Sequence, residues 1–90
     1  QGRIGHGMKW NVIFDARARK DLLALDRNIR ARIVKRLGAL GDDPLRAMTQ
    51  MATDKDTWKL RIGDWRIFCK CEQAGLLVVQ RVKHRSTAYD

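Results

Sequence analysis

Residues 58–68 limit the possible folds of this chain more than any other segment. Their side chains alternate between apolar and polar on both sides of Gly63-Asp64, a dipeptide that is typical of two-residue β-hairpin turns. A turn of this length fixes the register of the two strands that it connects. The pairs that follow are Ile62 with Trp65, Arg61 with Arg66, Leu60 with Ile67, and Lys59 with Phe68.

The pleat of the predicted hairpin separates its side chains by chemistry, because successive residues of a strand point to opposite faces. One face carries Trp58, Leu60, Ile62, Trp65 and Ile67, and the other carries Lys59, Arg61 and Arg66. Arg61 and Arg66 lie directly opposite each other, and like charges in that position destabilise a sheet. Because folding gains nothing from this pair, we interpret the polar face as a surface that binds anions.

The composition indicates a single small, basic domain. The chain has 90 residues, of which 44% are hydrophobic, and this is enough for one modest core. The formal net charge of +9 favours a polyanionic partner, with nucleic acid first, an acidic protein second and a membrane surface third. We expect residues 8–90 to form the domain and residues 1–7 to be an artificial or disordered tail.

The two cysteines indicate a reducing compartment. Cys69 and Cys71 are two positions apart on a predicted strand and point to the same side, where they are badly placed for a disulfide. They also lack the second cysteine pair or nearby histidine of a metal site. We interpret them as buried free thiols of a cytoplasmic protein. The sequence has no apolar run that would serve as a membrane span or signal peptide.

The remaining pattern predicts an α+β domain of the order β-α-α-β-β-β. Asp15 and Asp26 are suitable N-caps for two helices, and Gly41 is a natural end for the second. A two-helix hairpin is expected to pack on one face of a mostly antiparallel four-stranded sheet, with basic side chains on the other face. The predicted segments are a strand at 10–14, helices at 16–25 and 27–40, an irregular connection at 42–56, the hairpin, and a strand at 76–85.

Several catalytic classes lack the residues that they need. The histidines are His6, in the predicted tail, and His84, which excludes a two-histidine nuclease. Glu72 is the only glutamate and the aspartates fall mostly at caps and loops, so we expect no carboxylate cluster for metal-dependent phosphoryl transfer. A phosphate-binding glycine-rich loop and a persuasive Ser-His-Asp set are also missing from the sequence. We therefore expect no metal and no cofactor.

A metal-free basic site is the chemistry that remains. Its members are Lys59, Arg61, Arg66, Arg81, Lys83 and Arg85, with His84 and Tyr89 close behind. Such a site can bind a phosphodiester and stabilise a pentacoordinate phosphorane, and RNA supplies its own nucleophile, the 2′-OH. The alternative is a solvated sheet face, which a basic row forms about as often. His84 shares the parity of Val78 and Val82, which is equally consistent with a partly buried structural histidine.

The sequence resembles the RelE/ParE superfamily of bacterial and archaeal toxins from type II toxin–antitoxin systems. The resemblance covers residues 8–89 and is carried by residues 18–22, residues 58–67, and Val82-Lys83-His84-Arg85 followed by Tyr89. The RelE branch cleaves mRNA in the ribosomal A site, whereas the ParE branch inhibits DNA gyrase and lacks the full basic set. Retention of Arg66, Arg85 and Tyr89 favours the RelE branch. One departure is Thr57, where RelE-like enzymes often have a second lysine.

The resemblance implies a metal-independent endoribonuclease. In that reading Arg66 holds the scissile phosphate, Lys59 and Arg61 bind the same phosphate, Arg85 contacts the leaving side, and Tyr89 orients the base or the 2′-OH. Arg81, Lys83 and His84 are expected to bind RNA. Lys59, His84 and Tyr89 are the candidates for proton transfer.

The resemblance also implies partners. These are mRNA on the ribosome, with contacts to 16S rRNA, and an acidic, partly disordered antitoxin that covers the basic face. Two alternatives stay open: a ParE-like inhibitor of DNA gyrase, and a basic nucleic-acid-binding module without catalysis.

Overall fold

Five β-strands and two α-helices lie in residues 10–73 and 75–88, the part of the chain that the computed structural model describes, apart from the side chain of Glu72. In chain order they are β1 (Asn11–Phe14), α1 (Ala16–Leu23), α2 (Arg27–Gly38), β2 (Thr49–Gln50), β3 (Thr57–Ile62), β4 (Trp65–Gln73) and β5 (Leu76–His84), with a 3₁₀ turn at Pro44–Ala47. The predicted α+β arrangement is confirmed. The described sheet has five strands rather than four, because β2 lies in the segment that was expected to be irregular. The predicted tail lies outside the described residues.

The strands are arranged in the order β1-β5-β4-β3-β2. β1 runs parallel to β5, and the other neighbouring strands are antiparallel, as expected for a mostly antiparallel sheet. β5 therefore lies between β1 and the hairpin formed by β3 and β4. This placement brings basic residues near the end of the chain beside those of the hairpin.

The helices begin where the sequence predicts and end earlier. The Asp15 carboxylate accepts a hydrogen bond from the Ala18 N–H at 3.0 Å, and the Asp26 carboxylate accepts one from the Asn28 N–H at 3.3 Å. α1 and α2 each stop two residues before the expected end. At the end of α2 the Leu40 N–H bonds to the Leu37 carbonyl, a tighter i→i+3 contact that follows Gly38.

The core lies between the helices and one face of the sheet. Ala18 and Leu22 of α1 and Ile33 and Leu37 of α2 are buried against strand residues that include Leu60, Ile67, Leu77 and Val79. Cys69 is also buried there, and desolvation raises the pKa of its thiol to about 12. Cys71 is only half-buried, so the expectation that both thiols are buried is half correct. We call the opposite side of the sheet, which the helices do not cover, the open face.

A β-bulge in β5 changes which of its residues share a face. Phe68 pairs with Arg81 but Cys69 pairs with Val79, so Gln80 is an extra residue on β5. In a regular strand, residues 79 and 82 would point to opposite faces. The extra residue between them shifts the alternation by one, so that Val79 and Val82 both point to the core. The expectation that Val78 shares a face with His84 is therefore wrong.

Candidate nucleic-acid interface

The predicted hairpin register is confirmed, and β5 extends it by one strand. Arg61 pairs with Arg66 across the hairpin, and Arg66 pairs with Lys83 on β5. We call Arg61, Arg66 and Lys83 the cation row. Arg61 is exposed, and the other two are half-buried. Three positive side chains therefore lie side by side on neighbouring strands of the open face, where mutual repulsion opposes folding.

Arg66, in the middle of the cation row, is held by the hairpin turn. Its Nη1 donates hydrogen bonds to the carbonyl oxygens of Gly63 and Trp65, both at 3.0 Å. Both acceptors are neutral. Arg66 is thus oriented by the turn, and no carboxylate in the described part of the chain forms a salt bridge with it.

Arg85 lies next to the same turn. Its backbone N–H donates to the Asp64 carbonyl at 2.8 Å, and its Nε is 3.5 Å from the Asp64 carboxylate. Both side chains are 65% exposed, so this ion pair adds little stability. The backbone contact places Arg85 beside the hairpin turn that holds Arg66.

Arg81 is engaged by a carboxylate. Its Nε and Nη2 donate to the Asp21 carboxylate at 2.8 and 3.2 Å, and the Val82 N–H donates to the same group at 2.8 Å. Desolvation alone would raise the pKa of Asp21, but the hydrogen bonds from Arg81 and Val82 hold that pKa below its ordinary value of 3.8. The same ion pair raises the pKa of Arg81. The positive charge of Arg81 is therefore largely compensated.

The remaining predicted site residues are dispersed. Lys59, on the open face, is buried, with 5% of its surface exposed. The His84 ring packs edge-on against Trp65, on the core side, with ring centroids 5.2 Å apart. The Ser86 N–H points at His84 Nδ1 at 3.2 Å, which assigns the proton of a neutral ring to Nε2. Tyr89 lies outside the described residues.

Beside the cation row the open face contains a shallow pocket of about 320 Å³. Its lining residues are Thr57, Phe68, Arg81, Lys83 and Thr87. We call it the Phe68 pocket. The sequence interpretation did not include Phe68, Thr57 or Thr87 in the site. A signal was present, because the predicted register already placed Phe68, an aromatic residue, opposite Lys59 on the polar face.

A second pocket, of about 190 Å³, lies on the helical side of the domain. It is lined by Phe14, Arg19, Leu22, Leu23, Arg30 and Val34. Leu23 is 74% exposed and Val34 is 47% exposed. We call it the helical groove.

In residues 10–73 and 75–88, no three histidine, cysteine, aspartate or glutamate side chains come together in a way that would hold a metal ion. Within the same two stretches, no helix is long and apolar enough to cross a membrane.

Residues 12–89 match the family model of the ParE toxin of type II toxin–antitoxin systems. The chain belongs to the RelE/ParE superfamily of toxins. No curated protein sequence matches it. The structure is similar to the RelBE2 toxin–antitoxin complex of Mycobacterium tuberculosis, with 29% identity, a TM-score of 0.77, and coverage of 88% of this chain and 94% of that one.

Two more distant structures share the fold of this toxin. The intact RelBE complex of E. coli has 20% identity, a TM-score of 0.70, and coverage of 90% of this chain and 99% of that one. The RelE–RelB complex of Pyrococcus horikoshii has 19% identity, a TM-score of 0.67, and coverage of 90% and 100%. The family model carries the ParE name and these structures carry the RelE name, so the relatives represent both branches of the superfamily.

Proposed function

We propose that this toxin is a metal-independent endoribonuclease that cleaves mRNA in the ribosomal A site. The observation that supports the proposal most is the cation row. A sheet face that serves only solubility has no reason to align Arg61, Arg66 and Lys83 on neighbouring strands, because each pair repels. A phosphodiester that gains negative charge as it reacts is stabilised by such an arrangement.

The reaction follows from the chemistry of RNA. The 2′-oxygen attacks the adjacent phosphorus, the bond between phosphorus and the 5′-oxygen breaks, and a 2′,3′-cyclic phosphate is left. A general base takes the proton of the 2′-OH and a general acid gives one to the 5′-oxygen. The phosphorane formed between these steps carries an extra negative charge. Fixed cations stabilise that charge, and the row needs no metal ion to do so.

We assign the roles by position. Arg66 binds the scissile phosphate, since the turn orients it through two neutral carbonyl acceptors. Arg61 and Lys83 bind the same phosphate from either side, and Arg85 contacts the leaving side. Lys59 and Tyr89 are the proposed groups for proton transfer. His84 is the weakest candidate, because its ring packs against Trp65 on the core side.

We further propose that an acidic antitoxin binds this toxin. Two of the solved structures that resemble it, from Mycobacterium tuberculosis and E. coli, are toxin–antitoxin complexes. The net charge of +9 favours an acidic partner of this kind. The helical groove adds exposed apolar surface at Leu23 and Val34, flanked by Arg19 and Arg30. A segment that alternates apolar and acidic side chains would complement this groove.

A ParE-like inhibitor of DNA gyrase is the second candidate. The specific observation in its favour is the match of residues 12–89 to the ParE family model. In this alternative the cation row would contact gyrase or its bound DNA, and RNA would stay intact.

Induction of the toxin in bacterial cells tests the proposal against this alternative. We expect protein synthesis to stop before DNA replication, with new mRNA ends inside reading frames. Induction of Arg66→Ala serves as the matched control, and its transcripts should stay intact. Replication arrest with gyrase-linked DNA breaks and intact mRNA would instead establish the ParE-like activity. Salt-sensitive RNA binding without either lesion would indicate a module without catalysis.

A further inference from the structure

We propose that the Phe68 pocket is a nucleobase subsite, in which the ring of Phe68 stacks on one base of the bound RNA. This inference rests on the proposed function in one respect, because it takes RNA as the ligand. It adds a contact to the base, whereas the cation row contacts only phosphate.

The position of Phe68 fits this role. Phe68 and Arg66 are two residues apart on β4 and lie on the same face, so their Cα atoms are about 7 Å apart. A nucleotide whose phosphate lies at Arg66 can therefore place its base, or that of its neighbour, over the ring. The pocket also includes Lys83, a member of the cation row, so the two sites are continuous.

The surroundings of Phe68 are unusual for a large apolar side chain. It lies on the open face rather than in the core, and it is only half-buried. Its neighbours in the sheet are Lys59 and Arg81. Lys83 lines the same pocket as Phe68. An aromatic ring beside such a cation is the combination with which proteins bind single-stranded nucleic acid, since the ring stacks on a base while the cation contacts the backbone. The volume of about 320 Å³ is at the small end for ligand sites, which suits one base.

The pocket also contains polar groups that can distinguish bases. The Thr57 hydroxyl donates to the Asp54 carboxylate at 2.9 Å, and this bond lowers the pKa of Asp54. The Thr87 hydroxyl donates to the His84 carbonyl at 3.1 Å. Because each hydroxyl hydrogen is already used, both threonine oxygens offer only lone pairs to a ligand. They favour a base with an amino group, such as adenine or cytosine, over uracil.

Binding of short, uncleavable RNA tests the subsite. We would measure the Kd of labelled 2′-O-methyl trinucleotides at one fixed salt concentration, using three adenosines, three uridines, or three abasic units. All three carry the same backbone charge, so that their differences report the bases. Wild-type protein should bind the adenosine form about 5- to 50-fold more tightly than the abasic form, and a few-fold more tightly than the uridine form.

Variants of the pocket identify the residue responsible. Phe68→Leu should bind the adenosine form as weakly as wild type binds the abasic form, while its affinity for the abasic form stays unchanged. Phe68→Tyr keeps the ring and should keep the affinity. Thr57→Val should weaken the preference for adenosine over uridine, because only the Thr87 oxygen then remains. Trp10→Leu, at a partly buried aromatic position packed on the core, is the control and should bind like wild type.

The outcomes separate the subsite from the proposed function. Equal binding of the adenosine and abasic forms by wild type would overturn the subsite. This measurement uses only wild-type protein, so it decides the question even if Phe68→Leu does not fold. Loss of abasic binding in a folded Phe68→Leu would also overturn it, since the ring would then only support the open face. Base-dependent binding in a toxin that leaves cellular mRNA intact would keep the subsite and reject the ribonuclease.

Discussion

Arg66 and Arg81 lie at diagonal positions of β4 and β5 and contact groups of different charge. Arg81 is paired with the Asp21 carboxylate, whereas Arg66 donates to two neutral carbonyls. A phosphate competes easily with two carbonyl groups for the guanidinium of Arg66. To reach the guanidinium of Arg81, it must displace a carboxylate that is negatively charged like itself. We therefore expect catalysis to depend on Arg66 and stability to depend on the Arg81 pair.

Replacement of Arg66 by alanine should separate activity from stability. It removes two hydrogen bonds to the turn and also relieves repulsion from Arg61, so the free energy of unfolding should change by less than about 1 kcal/mol. Single-turnover cleavage should slow by about a hundred- to a thousandfold. Arg27→Ala, at an exposed position of α2, is the control and should cleave normally. Cleavage at the wild-type rate by folded Arg66→Ala would remove this residue from the site.

Asp21→Asn should make stability less dependent on acid pH. The folded-state pKa of Asp21 is below 3.8, so its ionised form stabilises the fold above the unfolded-state pKa. That contribution is lost as pH falls through the lower, folded-state pKa. At pH 7 the free energy of unfolding of the variant should be about 1–2 kcal/mol lower than that of wild type. This difference, the gap, should narrow toward pH 2.

Urea unfolding at both pH values measures the gap, with Asp42→Asn as a control at an exposed loop position. A gap of the same size at the two pH values would mean that the Asp21 charge does not stabilise the fold. The sequence could not predict this pair, because Asp21 and Arg81 are 60 residues apart in the chain. It could predict the Arg61–Arg66 pair, since a two-residue turn fixes that register locally.

Among the secondary-structure elements, α2 and the hairpin turn between β3 and β4 lie next to each other, and the turn borders the candidate site. Gly63 has a φ of +59°, and Asp64 does not have a positive φ, as in a type II′ turn. A Cβ at position 63 would also contact the guanidinium of Arg32, on α2. The turn is therefore constrained by its own backbone and by a helix packed beside it.

Gly63→Ala should destabilise the domain by about 1–2 kcal/mol, chiefly because alanine is strained at this φ. The Arg32 side chain is flexible and can move, so most of the loss should persist in an Arg32→Ala background. Thermal unfolding of wild type, Gly63→Ala, Arg32→Ala and the double variant measures these differences. Full recovery of stability in the Arg32→Ala background would show that the clash, rather than the backbone, is responsible.

Signals from neighbouring residues in the sequence predicted the helices and strands better than they predicted where these elements end and how they pair. The carboxylate caps at Asp15 and Asp26 and the hairpin register follow from neighbouring residues, and these predictions are confirmed. The bulge at Gln80 and the pairing of β2 with β3 depend on strands that meet only in the folded sheet. The Phe68 pocket was missed for the same reason, because residues from separate segments line it.

At the scale of the whole molecule, catalysis needs no metal ion if the positive charge of the protein itself stabilises the phosphorane. If the cation row stabilises the phosphorane, cleavage on ribosomes should survive EDTA with magnesium restored in modest excess, so that the ribosome stays intact while trace transition metals are chelated. A zinc-dependent nuclease in the same buffer should lose activity. Cleavage that requires added zinc or manganese would contradict the metal-free mechanism.

The pairing of β1 with β5 has a consequence for the order of events during synthesis. β1 is made before every other strand of the described sheet, and its neighbour β5 is made after them. β1 therefore has no strand to pair with until β5 has been translated. Lys83 joins Arg61 and Arg66 only when β5 is made, so on a ribosome making this toxin the cation row stays incomplete while the first four strands are translated.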